Sequence, residues 1–190
     1  MGKMGRVHTI KMHSYPGMVA VVGVETSEGA NFMAAGWHAY LSMDPPMYGV
    51  AVGRDRFTHS FIKENGAFSI NFLPFESADF IQYSGTATGL KENKAEGMAW
   101  ERTQSGAPLL SSAYLGYECT VDQVVATGDH DWVIGHIEKG FFEEDYFLPN
   151  GLPNFEKLHI PLYLGRSTYL KLDQEVKNEQ ILTSLNNKKS

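Results

Sequence analysis

One cysteine, Cys119, stands alone in the 190 residues. A single thiol excludes an intramolecular disulfide, and nothing here reads as a secreted disulfide scaffold. No apolar run approaches the roughly 18 residues that a membrane-crossing helix needs. The N-terminus carries no apolar stretch placed like a secretory signal. The expectation is a cytoplasmic protein without a membrane partner. A basic block is missing too: 16 Lys and Arg stand against 22 Asp and Glu, for a net charge of −6. Without a basic stripe to track a phosphate backbone, nucleic acid is disfavoured as a partner. Lys3, Arg6 and Lys11 occur with no acid in the first 13 residues and read as a solvated arm. Also absent are G-x-S-x-G, the P-loop, H-E-x-x-H and G-x-G-x-x-G.

What is present is a chain of short β-rich segments cut by turn residues. Met18–Val24 (MVAVVGV) is a continuous apolar run, the pattern of a strand buried on both faces. Ser27-Glu28-Gly29 marks a turn. Trp37–Ser42 and Met47–Val52 read as strands split by Pro45-Pro46. Thr58–Asn65 reads as a short helix stopped at Gly66. Ala67–Leu73 alternates Phe68, Ile70 and Phe72 against Ser69 and Asn71, a half-buried strand. Glu76–Tyr83 reads as a second short helix, closed by Ser84-Gly85. After a looser segment, Tyr114–Ala126 and Trp132–Phe142 form two long β-rich stretches joined at Gly128-Asp129-His130. Ile160–Leu164 and Tyr169–Leu172 read as closing strands or a connector.

Such short helices cannot supply the crossovers of a doubly wound sheet. The pattern predicts a mainly β fold, a barrel decorated with a few short helices. One domain is expected over residues 15–172, between an arm at 1–14 and a C-terminal helix or tail at 173–190. In that tail Val176, Ile181, Leu182 and Leu185 are the apolar positions.

Few residues carry obvious chemistry. His130 and His136 are spaced to share a strand face, but six residues span about 20 Å, too far for one metal ion. Cys119 reads as a small core residue, and Glu143-Glu144-Asp145 as a solvated turn. The basic cluster after the Met47–Val52 strand is more informative. Arg54, Arg56 and Thr58 at a helix start combine two guanidiniums, a hydroxyl and free N–H groups, which suits a phosphate. By spacing alone, pairing of both arginines with surface acids such as Asp55 or Glu64 is the commoner fate. In Asn31–His38, the small residues Ala34, Ala35 and Gly36 would let a flat ligand lie against backbone. Trp37 would stack on that ligand or fill the core. Ser84-Gly85-Thr86 is another place for close backbone approach.

In this order the pieces resemble the flavin reductase-like, FMN-binding split-barrel family, and within it the flavoredoxin branch. The resemblance runs from about Tyr15 to Leu172. It rests on the G-x-N turn before Ala34–Trp37, the S-x-D-P-P bend, Arg and Thr after the next strand, and F-S-I-N after the helix. Ser84-Gly85 with Lys94, Gly128-Asp129-His130, and P-L-Y-L-G-R with Tyr169 continue it.

The resemblance implies a six-stranded split barrel of Greek-key character, working as a homodimer, with FMN bound non-covalently near the interface. Asn31, Ala34, Ala35, Gly36 and Trp37 would line the flavin, and Arg54, Arg56 and Thr58 would hold its phosphate. Ser84, Gly85 and Lys94 would neighbour it, or reach across to the partner's flavin. His159 is the candidate on the nicotinamide side. The chain departs from many members at Ala34-Ala35, where they place hydroxyl residues, so backbone groups must do more. The function implied is an oxidoreductase passing a hydride from NAD(P)H to FMN and electrons on to an acceptor. An FMN electron carrier docking to a redox-partner protein is the alternative, and a barrel without flavin the third. His38 faces a second substrate or is a satisfied core histidine.

Overall fold

A computed structural model of the chain describes residues 16–175. The arm expected over 1–14 lies outside these residues, and so do Val176, Ile181, Leu182 and Leu185 of the expected C-terminal helix. The described chain is mainly β. Its strands are β1 (Ala20–Thr26), β2 (Gly29–Ala35), β3 (His38–Met43), β4 (Pro46–Gly53), β5 (Ala67–Phe72), β6 (Trp100–Arg102), β7 (Pro108–Leu110), β8 (Leu115–Thr127), β9 (His130–Phe142), β10 (Ile160–Gly165) and β11 (Thr168–Leu172). Two helices interrupt them, α1 (Phe57–Asn65) and α2 (Ala78–Thr86).

Seven strands form one antiparallel sheet in the order β2-β1-β5-β8-β9-β4-β3, and it curls until β2 lies against β4. The fold class is the split barrel expected, with seven strands in the main sheet rather than six. The extra strand is β2, whose sequence GANFMAA lacks the β-branched residues that signal a strand.

β1 is buried on both faces because it separates two cores. Ala20, Val22 and Val24 join the barrel interior with Tyr48, Val50, Phe68, Ile70 and Val133. Val19 and Val21 join a smaller core with Phe32, Leu73, Ile81 and Leu110, which lies under α2. Each large side chain so buried contributes on the order of 1.5–3 kcal/mol.

β5 keeps the alternation read from its sequence but not the half-exposure. Ser69 and Asn71 are fully buried because β7 covers their face. Their polar atoms are paired within the protein. Ser69 Oγ donates to the Pro108 carbonyl, while Asn71 Nδ2 donates to the Val21 carbonyl at 2.9 Å and Asn71 Oδ1 accepts from Leu110 N–H at 2.8 Å. Buried amides are tolerated only with such partners.

α1 follows from Thr58 and Ile62, four residues apart and both buried, and it ends at Gly66 in a left-handed turn (φ 66°). α2 runs through Ser84 and Gly85 rather than ending at them. A Cβ at Gly85 would sit 3.1 Å from the Ala34 Cβ, so the glycine lets the last turn of the helix press onto β2.

Candidate functional site

The end of β2, the start of α1 and the end of α2 converge at one edge of the barrel. Among the described residues β2 is an edge strand of the main sheet, and one row of its backbone N–H and C=O groups has no strand partner there. Two cavities meet there. One, about 180 Å³, runs along Met33–Trp37 beneath His130, with Arg56 at its margin. The other, about 200 Å³, lies between the start of α1 and the end of α2 and takes in Arg56, Thr58, Ser84, Gly89 and Lys94. Met33 and Arg56 line both.

Lys94, expected as a neighbour of the flavin, lines the second cavity. It is 4% exposed. Its ammonium donates to the carbonyls of Ser84 (3.1 Å) and Ala87 (3.4 Å) at the C-terminal end of α2, a favourable end for a cation. Burial, then the nearby Arg56 charge, lowers its pKa to about 8. Arg56 is half-exposed, and its nearest acid is Asp55 at 3.9 Å, the limit of an ion pair. Two cations therefore share one cavity, and the acid that lines it with them, Asp55, is itself mostly exposed. No side chain caps the start of α1, whose Ncap is Arg56 itself.

Thr58 is buried and accepts a hydrogen bond from Asn31 Nδ2 at 2.9 Å, tying β2 to α1. Asn31 Oδ1 is buried and has no hydrogen-bond partner among the described residues. It faces Gly89, where an added Cβ would lie 2.5 Å from that oxygen. An orphaned buried acceptor, two cations and an uncapped helix start make a donor and acceptor set suited to a hydroxylated phosphate ester.

Arg54 is placed differently. Its Nε donates to Asp131 Oδ1 at 2.7 Å, and His59 Nε2 lies 2.8 Å from Asp131 Oδ2. Neither arginine pairs with Glu64. Asp131, 6% exposed, was not singled out in the sequence; it carries no motif, and Arg54 is 77 residues away.

Trp37 does not fill the core. It is 41% exposed, with its ring centroid 4.9 Å from that of His130. Ala34, Ala35 and Gly36 precede it along the same cavity. Ser84 and Lys94 share a cavity with Arg56 and Thr58 of the same chain. Gly85, the next residue of α2, lies against Ala34.

His38 is a satisfied histidine. Nε2 lies 3.1 Å from the Met18 carbonyl, which can only accept, so Nδ1 receives the Tyr48 hydroxyl proton at 2.6 Å. Burial lowers its pKa. His159 sits apart from both cavities, with Nδ1 2.5 Å from Glu76 Oε1. Cys119 is fully buried in β8, and burial pushes its thiol up to about 12, away from nucleophilic use. His130 and His136 sit at opposite ends of the β4–β9 pairing, opposite Gly53 and Met47. Among the described residues no three His, Cys, Asp or Glu side chains are grouped to hold a metal ion. No helix among them is long and apolar enough to cross a membrane.

Residues 12–172 match the family described as flavin reductase like domain. An uncharacterized protein of Archaeoglobus fulgidus is 37% identical over 113 residues, 58% of this chain and 64% of that one, so the chain spans just under two thirds of that relative's length. Among solved structures, an FMN-binding protein of Thermus thermophilus superposes with a TM-score of 0.81 at 32% identity, covering 94% of this chain and 98% of the other. A flavoredoxin of Methanosarcina acetivorans gives 0.82 at 26% identity, covering 98% and 97%.

Proposed function

The chain belongs to the flavin reductase-like domain family, and on that premise we propose that it binds FMN and passes electrons from NAD(P)H to an acceptor. The observation that carries this reading is the pair of cations, Arg56 and buried Lys94, facing one cavity in which the exposed Asp55 is the acid among the described lining residues. Each raises the other's cost until an anion enters. The phosphate would be held by Arg56, Lys94 and the N–H groups at the start of α1. Asn31 Oδ1 would accept from a hydroxyl of the ribityl chain.

The ring would lie along Ala34–Trp37, at the unpaired edge of β2. This fits the missing hydroxyls at Ala34 and Ala35. Backbone N–H and C=O groups of an edge strand are free to read the ring's own donors and acceptors, and short side chains let it approach. Trp37, half-exposed over His130, would cover it. When bound, the flavin supplies the hydride and electron transfer. The chain's residues hold and orient it and shield one side from water. The solved Thermus FMN-binding protein supports the cofactor, and the family name supports the reductase chemistry.

The second reading, a carrier that exchanges electrons with a protein partner, is favoured by the likeness to a flavoredoxin over almost the whole chain. We also propose a homodimer. Its support is the outer face of β3, β4, β8 and β9, where Leu41 and Val125 are each 41% exposed beside Trp132 and Ile134.

A visible absorbance spectrum before and after anaerobic NADH or NADPH tests the function. A flavin band that bleaches is the expected result. A flavin band that stays oxidised with both would leave the carrier reading. No band after incubation with FMN and gel filtration would overturn the flavin assignment. Light scattering reads the oligomeric state, with a monomeric mass counting against the dimer.

A further inference from the structure

Four aromatic side chains that the flavin reading does not use meet at the β3–β4 hairpin. Tyr40 and Tyr48 are paired across it, and His38 and Tyr117 flank them. Tyr48 is 1% exposed, whereas Tyr40 is 60% exposed. Their ring centroids lie 5.0 Å apart at 81°, and Tyr117 is 5.8 Å from each. The tyrosines thus make a continuous ring contact from solvent to the barrel interior.

The polar ends decide what this contact can do. His38 gives its Nε2 proton to the Met18 carbonyl, so Nδ1 is a base that accepts from the Tyr48 hydroxyl at 2.6 Å. That separation allows direct proton transfer. Burial pushes the Tyr48 hydroxyl up, so it keeps its proton at neutral pH. Removing an electron from a phenol makes that proton strongly acidic, and His38 is placed to take it. Burial makes His38 a weaker base, and the Met18 carbonyl offsets part of that cost. Tyr40 has no such base, because its hydroxyl bonds the Tyr117 hydroxyl. The other titratable groups around Tyr48 are Tyr114 and Cys119, and burial pushes both up. Among the described residues, His38 is therefore the one base bonded to this cluster. An oxidising equivalent that enters at Tyr40 settles on Tyr48, where the departing proton has a partner.

We propose that Tyr48 and His38 form a one-electron redox site, reached through Tyr40, for a diffusible radical oxidant of the peroxyl class. The peroxyl radical takes an electron and the phenolic proton from Tyr40 and leaves as a hydroperoxide. The Tyr40 radical then takes an electron from Tyr48 and a proton from solvent, which restores its hydroxyl. The Tyr48 O–H bond breaks and an N–H bond forms at His38 Nδ1. A neutral phenoxyl beside an imidazolium remains. No step calls on the flavin, so the site stands apart from the flavin reading.

Pulse radiolysis of the purified protein with the trichloromethylperoxyl radical tests the proposal. The phenoxyl is followed by its visible absorption and, in frozen samples, by electron–nuclear double resonance. A lasting phenoxyl with a nitrogen coupling from the His38 ring is the expected result. Tyr48→Phe keeps the ring and should lose both the coupling and the lasting signal. Tyr40→Phe should slow formation of the phenoxyl and leave its nitrogen coupling in place. In wild type the lasting signal should fade as pH falls below 6.5, where His38 takes up a proton of its own. The nitrogen coupling and the pH dependence need no variant, so a variant that does not fold leaves the test intact. A lasting phenoxyl without nitrogen coupling, one that persists unchanged in Tyr48→Phe, or no lasting phenoxyl in wild type would overturn the proposal.

Discussion

Arg54 Nε lies 2.7 Å from Asp131 Oδ1, an ion pair that joins the end of β4 to the start of β9. His59 from α1 shares the same carboxylate at 2.8 Å, and Lys63 approaches it at 3.7 Å. The pair fixes the turn from which Arg56 and Thr58 project.

The hydrogen bonds from His59 and then Arg54 lower the Asp131 pKa from 3.8 to about 2. A depressed carboxylate contributes stability that is present above its unfolded pKa and is lost as pH falls through the folded one. The contribution should be complete above about pH 4 and gone by about pH 2. Acid unfolding of wild type and Asp131→Asn should therefore converge across that window. A constant difference between the two down to pH 2 would show that the carboxylate's charge is not what matters.

Arg56→Ala should weaken FMN binding by about 1.5–3 kcal/mol, the range for a hydrogen bond to a charged group. Arg54→Ala should instead lower the melting temperature, with a smaller effect on FMN, because its Nε is engaged by Asp131. Titration of both variants with FMN, beside their thermal melts, separates the roles. Equal losses of affinity would place both arginines on the phosphate.

Lys94 has a folded pKa of about 8, below its ordinary 10.5. FMN phosphate would bind the ammonium form. The free protein loses that proton as pH rises past about 8, so FMN affinity should fall from there upward. Lys94→Met should bind FMN more weakly near neutrality, with a flatter dependence on pH. A wild-type affinity that is level from pH 7 to pH 10 would remove Lys94 from the phosphate site.

Trp37→Ala should cost about 1 kcal/mol of stability or less, as at other surface positions. A core tryptophan would cost roughly 3–5 kcal/mol. The ring is half-exposed and rests on His130 alone among aromatic neighbours in the described residues. Denaturant unfolding gives the stability, and FMN titration gives the expected loss of affinity.

His38 sits inside the β3–β4 hairpin with a pKa lowered from 6.5 by burial. The neutral ring is the folded form, so stability should decline as pH falls below about 6.5, where only the unfolded chain gains a proton. His38→Gln should remove that decline. An unchanged slope between pH 5 and pH 7 would assign it to another group.

Much of the barrel was legible because its signals are local. The MVAVVGV run, the Gly66 stop and the Phe68-Ile70-Phe72 alternation each depend on residues within one element. β2 was not legible as a strand. Its small residues suit neither period strongly, and seven backbone pairings with β1, from Ala20↔Ala35 to Thr26↔Gly29, hold it in place. Ser84-Gly85 read as a helix end because glycine usually is one. Here it is a contact with Ala34, which no local pattern encodes.

The sequence by itself determined the strand-rich class, the hairpin ends, the core positions and the clustering of Arg54, Arg56 and Thr58. Each follows from hydrophobic period or backbone preference over a few residues. Only the tertiary structure decided that Arg54 turns to Asp131, that Lys94 is buried beside Arg56, and that Trp37 stays outside the core. Those outcomes depend on charges and edges brought together from distant parts of the chain. Their energies exist only when the sheet has curled and α1 and α2 have docked on it.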